Sequence, residues 1–146
     1  MGLMSSVESL QLAGRFNTVE RRGLLVLARE AIVTHIEQRE PVINQDELTG
    51  VQMQGACFVS LHTHGPGPAQ LRGCIGSLEP YRSLVDDVID NARAAAFRDP
   101  RFPAVAMDEL NYINWCIQNF KNKKSHMIRV FKWWISQHEA ANCFSK

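Results

Sequence analysis

Residues 56–76, ACFVSLHTHGPGPAQLRGCIG, contain the clearest strand pattern in the chain. Positions 56–62 and 71–76 are short runs rich in strand-favouring residues. Between them, HGPGPAQ at 64–70 holds two glycines and two prolines, which suit a loop. The simplest prediction is a β-hairpin. Alternation along its first strand places Cys57, Val59 and Leu61 on one face and Phe58, Ser60 and His62 on the other.

A helix is predicted before the hairpin. Asn17 and Glu20 have the spacing of a capping box, and Pro41 is expected to end the helix. Residues at three- and four-residue intervals form its apolar stripe: Leu24, Leu27, Ala28, Ala31, Ile32, His35 and Ile36. We interpret His35 as a structural residue at the core edge. Residues 42–54 have no clear period and are predicted to be a connection.

A second helix is predicted after the hairpin, beginning near Pro80 and ending at Asp99-Pro100. Its core face is expected to carry Leu84, Val88, Ala92, Ala95 and Ala96. The acidic residues Asp86, Asp87 and Asp90 are expected to face solvent. The order helix, hairpin, helix predicts an α+β fold with an antiparallel sheet flanked by helices.

Arg72 and Cys74 are the first candidates for chemistry. They are two residues apart on a strand and therefore share a face. A guanidinium beside a thiol favours the nucleophilic thiolate, so Cys74 is a candidate catalytic residue assisted by Arg72. Gly73 and Gly76 leave the backbone bare for a ligand or another chain segment. The alternative is that Cys74 is a small buried residue of a core strand.

Other polar groups are weaker candidates. His62 and His64 could chelate a metal, but two histidines without a third ligand at a suitable spacing are too few, so no metal site is predicted. Arg98 and Arg101 lie near Phe102 in a proline-bounded turn that could bind a phosphate or carboxylate. Alternatively, Asp99 pairs with an arginine and Phe102 fills the core.

Composition limits the class of protein. The chain has 146 residues, 45% of them apolar and 21% charged, as in an ordinary globular domain. No apolar run reaches the length of a membrane helix, and the N-terminus lacks the pattern of a secretory signal. The four cysteines form no C-x-x-C pair, so free thiols are expected. We therefore expect a cytoplasmic protein, or a nuclear one in a eukaryote.

Two motifs at a specific spacing carry a resemblance to a known family. Leu71-Arg-Gly-Cys-Ile-Gly76 and Asp99-Pro-Arg-Phe-Pro103, with Leu78-Glu-Pro80 between them, closely resemble the AMMECR domain, called AmmeMemoRadiSam system protein A in prokaryotes. The resemblance runs from about residue 17 to 110. It implies a two-lobed α+β domain whose LRGCIG strand lines a cleft, and association with Memo-like and radical-SAM proteins. The implied site comprises Arg72, Gly73, Cys74 and Gly76, with Asp99 and Arg101.

The family pattern is lost after Leu110. Residues 1–110 contain ten arginines and no lysine, whereas 111–146 contain five lysines, one arginine and all three tryptophans. We interpret 1–16 as a flexible N-terminus, 17–110 as a partial AMMECR-like domain and 111–146 as an atypical basic tail from read-through or a misjoined gene. The family's later strands are then expected to be missing, which would leave the hairpin with an unpaired edge. Alternatively, the tail is a basic amphipathic helix.

Two hypotheses of function follow. The first is a non-catalytic binding or accessory module of an AmmeMemoRadiSam-type system, in which the LRGCIG strand and the following turn present a surface. The second is an enzyme that uses Cys74, assisted by Arg72, on a small or nucleotide-derived substrate. The first is favoured because no general base is identifiable near the thiol. No cofactor or nucleic-acid partner is predicted.

Overall fold

The computed structural model describes residues 16–120 and 128–133. The described helices are α1 (Thr18–Ile36), α2 (Gln45–Leu48) and α3 (Leu84–Phe97), with 3₁₀ turns at Thr49–Val51 and Met107–Tyr112. The described strands are β1 (Ala56–Thr63), β2 (Gln70–Gly76), β3 (Ile113–Phe120) and β4 (Ile128–Trp133). The predicted α+β class is confirmed.

The four strands form one antiparallel sheet in the order β2-β1-β3-β4. β1 and β2 pair as the predicted hairpin, and β1 pairs on its other side with β3. The expectation that the hairpin would lack a further strand is therefore wrong. That expectation came from family pattern and composition. Large apolar residues at every second position, Ile113, Trp115 and Ile117, nevertheless have the period of a strand.

The core lies between the sheet and the helices α1 and α3. Cys57, Val59 and Leu61 are fully buried on the helix-facing side of β1, as their alternation predicted. Trp115 of β3 joins them, and its indole Nε1 donates a hydrogen bond to the Leu25 carbonyl of α1 at 3.2 Å. A buried indole N–H needs such a partner.

The tail is not a helix where it is described. Residues 113–120 and 128–133 are strands, so the amphipathic-helix alternative is wrong for these positions. Of the predicted flexible segment 1–16, all but Phe16 lies outside the described residues, and Phe16 is buried in the core. Among the described helices there is none with the length and apolarity needed to cross a membrane.

Helix α1 begins as predicted. The Asn17 side chain accepts a hydrogen bond from the Glu20 backbone N–H at 2.8 Å, which satisfies one free donor of the first turn. The helix ends at Ile36, well before Pro41, and Gln38 has a positive φ of 58°. The His35 ring stacks on Phe97 with centroids 4.4 Å apart, in keeping with a structural role. The predicted connection at 42–54 contains α2 and a 3₁₀ turn.

Helix α3 begins later than predicted. It starts at Leu84 instead of near Pro80, because the Ser83 side chain caps it by accepting from the Asp86 backbone N–H at 3.1 Å. The predicted core face is confirmed, since all five of its residues are buried: Leu84, Val88, Ala92, Ala95 and Ala96. The expectation that Asp87 faces solvent is wrong: Asp87 is fully buried, because its carboxylate accepts four hydrogen bonds inside the fold.

Candidate functional site

The candidate site lies along β2, which is an edge strand of the sheet. Leu71 pairs with His62 and Gly73 with Leu61, so Arg72 is an extra residue at a bulge in the hairpin. A bulge re-aims the side chains around it. Arg72 is buried and Cys74 is half-buried.

The backbone of Cys74 is held by the turn that follows α3. Its N–H donates to Asp99 Oδ2 at 2.9 Å, and its carbonyl accepts from Arg101 Nη2 at 3.5 Å. Asp99 and Arg101 thus occupy the donor and the acceptor that an edge strand would otherwise present to another chain. We call this arrangement the edge clamp.

The two charged members of the edge clamp also bind each other. Arg101 donates from Nε to Asp99 Oδ1 at 3.0 Å and from Nη2 to Oδ2 at 2.8 Å. Together with the N–H groups of Cys74 and Arg101, this guanidinium holds the pKa of the Asp99 carboxyl well below its usual range, although burial acts in the opposite direction. The sequence-based alternative that Asp99 pairs with an arginine is confirmed.

The surroundings of Cys74 raise the pKa of its thiol and so favour the neutral form on balance. Burial raises its pKa, the Asp99 carboxylate raises it further, and the Arg101 guanidinium lowers it, with a net increase above the ordinary value. The Arg72 guanidinium, which was expected to favour the thiolate, binds the Glu109 carboxylate. Within the described residues, the thiol has no hydrogen-bond partner that could act as a general base.

Arg72 pairs with Glu109, a residue that sequence reasoning did not select. Arg72 donates from Nε to Glu109 Oε1 at 3.2 Å and from Nη2 to Oε2 at 3.3 Å. Glu109 Oε2 also accepts from the Ala106 N–H at 2.8 Å, which fixes the carboxylate at the start of a 3₁₀ turn. The contact joins positions 37 residues apart in the chain, and no local pattern reveals such a pair.

The glycines of the motif serve packing. A Cβ on Gly73 would overlap the Ala95 backbone carbonyl oxygen, so the glycine lets α3 approach β2 closely. A Cβ on Gly76 would overlap the Phe58 ring. Of the two sequence-based alternatives, close approach of another chain segment applies at both positions.

Other candidates lie elsewhere. Arg98 pairs with Asp90 at 2.9 Å, away from the edge clamp. No group of three histidine, cysteine or acidic residues suited to a metal ion occurs in the described part of the chain. Cys57 and Cys74 are free thiols.

A buried polar cluster around Asp87 was also missed. Asp87 accepts from the Cys57 N–H, the Ser77 hydroxyl, Arg82 Nε and Asn91 Nδ2, at 2.8 to 2.9 Å. The cluster ties the start of β1 and the end of β2 to α3. A signal was present in the sequence, because Asp87 and Asn91 continue the three- and four-residue spacing of the core face from Leu84.

Comparison with known proteins identifies the family. The family model described as AMMECR1 matches residues 25–138, most of the chain. The chain belongs to the AMMECR1 family. The match extends past residue 110 into the segment of different composition.

Relatives and a solved structure agree with this assignment. The chain is 40% identical over 96 residues to a protein of Methanothermobacter thermautotrophicus, with 65% of this chain and 48% of that protein covered. It is 42% identical over 100 residues to a protein of Methanosarcina barkeri, covering 65% and 47%. The crystal structure of the uncharacterized protein PH0010 from Pyrococcus horikoshii matches with a TM-score of 0.60 and 31% identity, covering 66% of this chain and 48% of that one. The chain spans about half the length of these relatives.

Proposed function

We propose that this AMMECR1-family chain is a binding or accessory module, in which the LRGCIG strand and the turn after α3 line a ligand-facing cleft. The observation that carries the proposal is the edge clamp. Asp99 and Arg101 hold the backbone of Cys74, while burial keeps the pKa of its thiol above the ordinary value. A fixed backbone with an unactivated thiol suits presentation of a surface better than nucleophilic attack.

The partners implied by the resemblance belong to this proposal. A Memo-like protein and a radical-SAM protein of an AmmeMemoRadiSam-type system are the expected partners, in the cytoplasm. The exposed Arg101 guanidinium is the group of the clamp that a partner or ligand would meet first, since Asp99 is buried beneath it.

The alternative is an enzyme that uses Cys74 as a nucleophile with help from Arg72. Two observations favour it: the thiol is half-buried and so within reach of a substrate, and Arg101 acts to lower its pKa. This alternative requires that ligand binding shift the balance toward the thiolate.

Binding of the purified chain to the Memo-like protein of the same genome, measured by calorimetry, tests the proposal. We expect Cys74→Ser to bind within about twofold of wild type and Arg101→Glu to bind more than about tenfold more weakly, a change of about 1.4 kcal/mol. Arg98→Glu is the matched control, because Arg98 is about as exposed as Arg101 and lies outside the clamp. Failure of the wild-type chain to bind would refute the proposal that the Memo-like protein is its partner. Loss of binding in Cys74→Ser with retention in Arg101→Glu would favour the enzyme.

A further inference from the structure

Arg101, which belongs to the edge clamp, and Arg72 on β2 are held in the same way. A carboxylate grips the Nε and Nη2 donors of each one: Asp99 holds Arg101 at 3.0 and 2.8 Å, and Glu109 holds Arg72 at 3.2 and 3.3 Å. Paired contacts of this kind fix the plane of a guanidinium as well as its position. The third nitrogen, Nη1, is then oriented before any ligand arrives.

Both Nη1 groups are unused. The Arg72 side chain is only 10% exposed, and its Nη1 atom is closed to solvent and has no hydrogen-bond partner among the described residues. Arg101 Nη1 likewise makes no hydrogen bond within the described part of the chain, and its side chain is 55% exposed. A buried, unpartnered guanidinium N–H is costly and calls for an acceptor.

One aromatic ring lies near both arginines. The Arg101 Cζ atom is 5.3 Å from the Phe102 ring centroid, and the Arg72 Cζ atom is 6.0 Å from it. Phe102 therefore lies near an exposed donor and near a buried one. Because Arg72 Nη1 is closed to solvent, a ligand can reach it only if a neighbouring side chain moves. We expect that side chain to be Phe102, whose ring lies near both guanidiniums.

We propose that Arg101 and Arg72 together bind the oxyanion of a small ligand, a carboxylate or a phosphate, through their Nη1 groups. The inference rests on the proposed function, because it names the chemistry that the binding surface recognises. Arg101 makes the first contact, and Arg72 completes the site when the Phe102 side chain turns aside. Planar guanidinium groups match the paired oxygens of carboxylate and phosphate.

The charges around the two arginines determine how strongly the site is expected to bind an anion. Asp99 and Glu109 balance the two arginines, so attraction over long range is small and binding depends on direct contact. We therefore expect modest affinity that weakens with added salt. Arg98, the other arginine of this turn, is paired with Asp90 instead.

Nuclear magnetic resonance of the full chain tests the inference. The Nε–H signals of the arginines are followed during titration with inorganic phosphate, acetate or acetamide, with sodium chloride keeping the ionic strength constant. Acetamide is the neutral control for acetate, because the two have the same shape. The same spectra report whether each variant is folded.

The expected result is saturable shifts of the Arg101 and Arg72 signals with phosphate or acetate and none with acetamide. Comparison of the two anions tells whether the site prefers a phosphate or a carboxylate. Arg101→Gln should weaken binding about tenfold or more, since one charge-assisted contact is lost, and Arg98→Gln should change it less than about twofold. Arg72→Lys, which keeps the charge and loses the paired geometry, should also weaken it.

Equal responses to acetate and acetamide, or equal weakening in Arg98→Gln and Arg101→Gln, would overturn the oxyanion site. So would the absence of any shift beyond that caused by chloride. The assay with the Memo-like protein contains no added anion, so failure here leaves that result standing. A chain that binds phosphate and fails to bind the Memo-like protein would conversely refute the partner alone.

Discussion

Replacing Asp87 by asparagine should destabilise the fold strongly. Each carboxylate oxygen of Asp87 accepts from two donors: Oδ1 from the Ser77 hydroxyl and Arg82 Nε, and Oδ2 from the Cys57 N–H and Asn91 Nδ2. An asparagine amide turns one of these acceptors into a donor in either orientation. With the amide nitrogen at the Oδ2 position, the bonds from the Cys57 N–H and Asn91 are lost. With it at the Oδ1 position, the bond from Arg82 is lost, while the Ser77 hydroxyl can rotate to accept.

The magnitude follows from burial and charge. Asp87 is fully buried, and the Arg82 side chain paired with it is 24% exposed. Each unsatisfied buried group costs about 1–3 kcal/mol, and removal of one partner of a buried ion pair costs about 3–5 kcal/mol. Arg82 keeps a second contact with Asp90 at 3.1 Å, which limits the penalty. We expect a loss of about 3–5 kcal/mol from a total stability of about 5–15 kcal/mol.

Urea unfolding followed by circular dichroism measures this loss. Asp86→Asn is the matched control, because Asp86 is the neighbouring residue in the same helical turn and its side chain is exposed. That control should lose about 1 kcal/mol or less, from the weaker interaction with the helix dipole. A loss in Asp87→Asn no greater than in Asp86→Asn would refute the view that this cluster ties the hairpin to α3.

Two further predictions concern the site itself. Gly73→Ala should destabilise the chain by about 1–3 kcal/mol, because its Cβ would overlap the Ala95 carbonyl. The control Gly65→Ala, whose Cβ meets open space, should change stability by less than about 1 kcal/mol. Equal effects of the two substitutions would contradict the close packing of α3 on β2. The pKa of the Asp99 carboxyl is lowered in the folded chain. Its contribution to the free energy of unfolding is therefore present above its ordinary pKa of about 4 and is lost as pH falls toward its pKa in the folded state. The stability of Asp99→Asn should therefore fall less steeply than that of wild type from about pH 5 down to pH 2, and parallel curves would contradict the assignment.

The parts of the fold that depend on local rules were predictable from the sequence. The hairpin follows from alternation on both sides of a loop with two prolines and two glycines, and the start of α1 follows from one capping residue, Asn17. The core face of α3 follows from helical spacing. In each case the physical cause acts over a few residues.

The parts of the fold that depend on contacts between distant residues were not predictable from the sequence. The pairing of Arg72 with Glu109 and the clamp of Asp99 on Cys74 join segments that only the tertiary fold brings together. The rule that carboxylates on a helix face solvent fails at Asp87, because a buried acceptor was needed where β1, β2 and α3 meet. Composition was misleading for β3, since the unusual composition after residue 110 does not prevent Ile113, Trp115 and Ile117 from having the period of a strand.

We infer that the fold holds Cys74 by its backbone and does not favour its thiolate. The most direct test is the rate of alkylation of Cys74 by iodoacetamide at pH 7 in the native chain. Mass spectrometry of the peptide containing Cys74 isolates its rate from those of the other cysteines, and N-acetylcysteine serves as the model thiol. Because burial raises the pKa of this thiol and lowers the thiolate fraction, Cys74 should react more slowly than the model. Faster reaction than the model would contradict the claim and favour a nucleophilic role.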